Sequence, residues 1–101
     1  MKIVTFPIII FSYNRPNHLK KTLKALIQNT TIRHHKIFFF NDGPKNSEDK
    51  KKIEAIKTLI NKYKKLIKFK KINFNKKNVG LFNNIIINVT SVLKKIKLPL
   101  S

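Results

Sequence analysis

Apolar residues run without interruption from Ile8 to Phe11, and the chain turns polar directly after them, at Ser12-Tyr13-Asn14-Arg15. A short continuous apolar run predicts a strand buried on both faces; here it covers residues 7–12, with Ile3 as an earlier start. Pro16 then opens a helical pattern over residues 17–29. In it Leu19, Leu23, Leu26 and Ile27 recur at the i, i+4, i+7, i+8 spacing of one buried face. Residues 36–40 form a second apolar run, ended by the turn residues Asn41-Asp42-Gly43-Pro44. Ser47 is a suitable N-cap for a second helix, with Glu48 and Asp49 in its first turn and Ile53, Ile56, Ile60 and Tyr63 on its buried face.

Residues 66–72 read as a weaker third strand, nearer the sheet edge because lysines interrupt it, and residues 73–79 as a loop. A third helix begins near Gly80 and carries Phe82, Ile85, Ile86, Val89, Val92, Leu93 and Ile96. Strands alternating with helices predict an α/β fold: a three-layer βαβαβα parallel sheet with right-handed crossovers, Rossmann-like, in one domain over residues 1–101. The last helix would lead into a further strand, so the pattern reads as incomplete.

Composition changes this picture in two ways. Lys and Arg total 23 against four acids, giving +19, a charge that attracts phosphates, nucleic acid and anionic membranes. The excess of Lys, Asn, Ile and Phe also matches A/T-rich codons, so part of the charge has a genomic origin. The absence of cysteine excludes disulfides, thiol catalysis and thiolate metal sites. The first apolar run is broken by Thr5 and Pro7 and lacks a small-residue cleavage site, unlike a signal peptide. The expectation is a cytoplasmic, soluble chain.

In a parallel sheet the loops after the strands gather along one edge, where open α/β sheets bind ligands. Tyr13-Asn14-Arg15 offers an aromatic face and a fixed cation, and Asp42-Gly43 a carboxylate on a turn. Residues 76–80, with Asn78 and Gly80, offer backbone amides at a helix start. Together they suit a nucleotide, with its ring near Tyr13, its N–H groups on Asp42 and its phosphates on Arg15 and the helix start. Each piece has a plainer reading: Asp42-Gly43 as a turn, Tyr13 as a lid on the core, Arg15 as a solvated residue, Asn78 as an N-cap.

The block from Pro7 to Leu26, then Phe40-Asn41-Asp42-Gly43, then Lys77-Asn78-Val79-Gly80 with Asn84, resembles the amino-terminal half of a GT-A glycosyltransferase. The likeness is to the family 2-like enzymes and related N-acetylglucosaminyltransferases, and it spans residues 7–93. It implies a bound sugar nucleotide of the UDP type. Tyr13 would lie near the base, Arg15 on the nucleotide, Asp42 on the uracil, and Gly80 with its neighbours beside the donor sugar and diphosphate. The resemblance also implies Mn²⁺ or Mg²⁺ in the complete fold, held by an Asp-x-Asp element on the next strand. This chain has no such element; its acids are Asp42, Glu48, Asp49 and Glu54. It therefore resembles the donor-binding half, truncated before the catalytic elements, which a carboxy-terminal half or a partner chain would supply.

Two other functions compete with a glycosyltransferase half: a non-catalytic nucleotide-binding module, and a basic nucleic-acid-binding protein. Lysine clusters at residues 50–52, 62–71 and 94–97 read first as solvated faces. Interleaved Tyr63, Phe69 and Phe74 weakly favour a nucleic-acid footprint, but no recognised nucleic-acid motif accompanies them; a third reading is an anionic membrane surface, which attracts basic clusters. His18, His34 and His35 do not form a metal site, since the adjacent pair cannot both face inward from a strand start.

Overall fold

The computed structural model describes residues 6–95. The elements are β1 (Pro7–Ser12), α1 (Pro16–Ile27), a 3₁₀ turn (Ile32–His34), β2 (Lys36–Asn41), α2 (Ser47–Tyr63), β3 (Phe69–Phe74) and α3 (Leu81–Lys95). Both strand pairs are parallel, in the order β1-β2-β3, with Ile10 opposite Phe39 and Phe39 opposite Ile72. The architecture is α/β, a three-stranded parallel sheet with helices on both faces, compatible with a Rossmann-like arrangement.

The two-residue period of the strands divides the core. Ile10, Ile37 and Phe39 pack with Leu19 and Leu23 of α1 and Ile56, Ile60 and Tyr63 of α2. Phe38 and Phe40 point the other way, to Val92 of α3, with Ile9 and Phe11 beside them. Crossovers of one hand between successive neighbours require α1 and α2 to share a face. Residues 37–41 of the central strand are all buried, and each large apolar side chain there contributes roughly 1.5–3 kcal/mol.

Several expectations need correcting. The first strand does not become buried on both faces: only Ile10 is buried and the rest are half-exposed, because β1 has a neighbour on one side only. The third strand lies at 69–74 rather than 66–72, and Leu66 is 63% exposed in the turn after α2. It is an edge strand, as its lysines suggest. Ile27 is also exposed, at the last residue of α1. The cap of α2 is Asn46, whose side chain accepts from the Asp49 amide at 2.9 Å, so Ser47 is the first helical residue. Asn46 and Asp49 hold the N-cap and N3 spacing, and Asn caps at least as well as Ser.

The largest departure is α3. Only part of its expected apolar stripe faces the sheet: Val92 is buried and Val89 partly so, but Phe82, Ile85, Ile86 and Leu93 are exposed, and Asn84 and Asn88 take buried positions beside Val92. Amide bonding fixes this rotation. Asn84 Oδ1 accepts from Asn75 at 2.9 Å and from Asn88 at 2.7 Å, which ties the helix to the loop leaving β3. Buried amides are tolerated when partnered; Asn88 Nδ2 and Asn84 Oδ1 are, while Asn84 Nδ2 has no partner among the described residues. Ile3 and Ile96 lie outside the described residues.

Candidate functional site

Parallel pairing delivers three loops to one edge, and hydrogen bonds continue the ladder just beyond the strands. The Asp42 amide donates to Ser12 O and the Asn75 amide to Asn41 O, both at 2.9 Å. Asp42 is 3% exposed and accepts five hydrogen bonds, from the amides of Gly43, Val79 and Gly80 and the side chains of Asn75 and Asn78. A carboxylate offers about four lone-pair directions, so Asp42 is saturated from within. It clamps the 75–80 loop, and the Val79 and Gly80 amides expected to face a phosphate are engaged by it.

Two glycines make this closure sterically feasible. A Cβ on Gly43 would come within 3.0 Å of the Lys77 carbonyl group and the Asn78 nitrogen, so the two loops touch backbone to backbone. Gly80 adopts φ +87°, in the left-handed region that favours glycine. Its carbonyl accepts the Asn84 amide at 2.9 Å, starting α3.

The first loop is held by an acid that the sequence pattern assigned only to a helix turn. Asp49, 5% exposed, accepts from the Tyr13 hydroxyl, from Asn14 Nδ2 at 3.0 Å and from the Lys45 amide at 2.9 Å. Burial, then the bond to Asp49, pushes the Tyr13 phenol up to about 12. It is a neutral donor at physiological pH. The same bond from Tyr13, followed by that from Asn14, holds the Asp49 carboxyl below the usual carboxylate range.

Above these loops lies a cleft of about 660 Å³, within the usual size of small-molecule sites. Tyr13, Asn14, Asp42, Asn78 and Gly80 line it, and Arg15, His18 and Lys45, all exposed, stand at its rim. The predicted residues are thus brought together around one space, but with different duties. Arg15 and the Tyr13 ring remain available to a ligand, whereas Asp42, Asn78 and the Gly80 amide hold the walls.

The donor set does not suit a divalent cation. Asp42 is saturated, Asp49 is engaged by three donors, Glu54 pairs with Lys57 at 3.3 Å, and Glu48 is an exposed residue in the first turn of α2. Among the described residues no cluster of three His or carboxylate side chains exists. His18 sits on α1, and His35 Nδ1 accepts the Phe6 amide.

The pattern along the chain missed Asp49, Asn41, Asn75 and Lys45. Asn41 Nδ2 donates to Tyr13 O at 3.2 Å and Asp42 O at 2.8 Å, tying the first two loops together. The Asn46-x-x-Asp49 spacing was a usable signal for a cap, but nothing local announces Tyr13 as a partner. Searches with protein-family models, against curated proteins and against solved structures return no match to this chain.

Proposed function

We propose that the cleft binds a nucleoside diphosphate, with a UDP-sugar as the donor class, and that the chain is the nucleotide-binding half of a GT-A-like glycosyltransferase. The observation that carries this reading is the charge arrangement around the cleft. Arg15 and Lys45 rim it, while the carboxylates of Asp42 and Asp49 are satisfied internally. An anionic ligand therefore meets cations without a competing free acid. The Tyr13 ring, fixed by its hydroxyl bond to Asp49, offers a rigid aromatic surface for the base.

The part played by this chain is binding rather than transfer. Among the described residues the cleft offers no free carboxylate to hold a metal against a leaving diphosphate. Transfer to a glycan, lipid or protein acceptor would draw those elements from another segment or chain.

Calorimetric titration with UDP, uridine and inorganic diphosphate tests the reading. UDP binds more tightly than uridine, and Arg15→Ala weakens UDP about tenfold, the loss of one charge-assisted contact. Equal affinity for UDP in the wild type, Arg15→Ala and Lys45→Ala would overturn it.

A further inference from the structure

The opposite edge of the sheet, where the strands begin, has a different character. Parallel strands bring the ends of α1 and α2 to that edge, together with the 3₁₀ turn and the starts of β2 and β3. Lys24, Arg33, Lys36, Lys64, Lys65 and Lys68 lie there and all are exposed. Neither residues 24–36 nor residues 62–69 contain an acid. Lys24 and Lys62 fall in the last turns of their helices, where a cation offsets the helix dipole. Lys64 is the C-cap of α2 and shares that duty, whereas Lys36, Lys65 and Lys68 lie beyond the helices and do not.

Exposed apolar side chains stand among these cations: Phe6 at 54%, Ile27 at 37% and Leu66 at 63%. Two of the three are aliphatic. Phe6 packs against the His35 ring, with centroids 4.2 Å apart, while Tyr63 is buried and Phe69 packs on Phe39. Nucleic acid gains most from free aromatic platforms and arginine, and this edge supplies one arginine and no unengaged ring among its described residues. Aliphatic side chains set among lysines match the boundary between anionic headgroups and acyl chains. Lysine stems also lie along apolar surface while their ammonium groups stay in water.

We propose that this strand-start edge docks on an anionic phospholipid bilayer, with Leu66 and Ile27 entering the headgroup boundary and the surrounding lysines meeting lipid phosphates. The cleft lies on the far edge of the sheet, so docking leaves it open to the aqueous side. The proposal does not depend on which ligand the cleft takes.

Cosedimentation with vesicles of phosphatidylcholine, alone or with about one-third phosphatidylglycerol, tests it. The chain pellets with the anionic vesicles only, and less so as salt rises from about 0.1 to about 1 M. The pair Lys64→Glu, Lys65→Glu weakens binding about tenfold or more, and Leu66→Ser weakens it at unchanged charge. The pair Lys50→Glu, Lys51→Glu makes the same charge change at the other end of α2 and retains most binding. Thermal melts establish that each variant is folded, and Lys36→Glu with Lys68→Glu serves as a second test of the same edge. Equal loss in the Lys50/Lys51 and Lys64/Lys65 pairs would overturn the proposal, leaving net charge alone. So would vesicle binding that survives the Lys64/Lys65 change while binding to a single-stranded oligonucleotide is lost.

Discussion

Gly43 and Asp42 carry the geometry of the cleft. The Gly43 hydrogen faces the Lys77 and Asn78 backbone with no room for a methyl group, so Gly43→Ala destabilises by about 2 kcal/mol as the loops are forced apart. Asp42→Ala strands three amides and two side-chain donors, and costs about 3 kcal/mol or more. Chemical denaturation measures both. The Tyr13–Asp49 bond sets a pH window. The Asp49 carboxyl titrates below its ordinary 3.8 in the fold, so its contribution is present above about pH 4 and is lost as pH falls. The Tyr13 phenol titrates near 12 against an ordinary 10.0, so its contribution holds below pH 10 and is lost between 10 and 12. Unfolding midpoints followed against pH should show a shallower acid limb for Asp49→Asn and a shallower alkaline limb for Tyr13→Phe, each relative to wild type. Asp42 was legible as a carboxylate at a strand end, but its duty was not. Four of its five donors arrive from residues 75–80, more than thirty positions away, and no local pattern announces them.

At the scale of elements, β1, α1, β2 and α2 follow from periodicity, because each keeps its apolar side chains on a face that a neighbour covers. Leu19, Leu23, Ile53, Ile56, Ile60 and Tyr63 are buried as their spacing requires. Helix α3 departs from this rule. Its apolar stripe has the right spacing, but the Asn75–Asn84–Asn88 amide chain rotates the helix so that Val92 packs on the sheet while Phe82, Ile86 and Leu93 turn away from it. Spacing reports that a face exists, not which face the fold will cover. Phe82, 74% exposed, should therefore tolerate Ser with a change of about 0.5 kcal/mol or less. Ile56→Ala, at a fully buried site, should cost about 2–5 kcal/mol. The order reverses if the apolar stripe of α3 is its packed face. The expected start of β3 falls three residues early because Leu66 and Ile67 extend its apolar run. Ile67 is buried in the core next to Tyr63, so an apolar residue there signals packing rather than pairing.

Across the whole molecule, the parallel sheet separates two chemistries. The strand ends hold a cleft whose acids are internally satisfied; the strand starts hold lysines among exposed aliphatic residues. A net charge of +19 also opposes compactness, so added salt should raise the melting temperature by screening self-repulsion; a fall in its place would count against that effect. The charge and the parallel α/β alternation were legible from composition and periodicity, whereas the internal engagement of Asp42 and Asp49 was not. The central claim concerns where a nucleoside diphosphate binds, and backbone amide NMR during a UDP titration tests it most directly. The account predicts saturable shifts at residues 12–15, 42–46 and 78–81, with the strand-start edge unchanged. Shifts confined to the lysines at 62–68, or none at all, would contradict it.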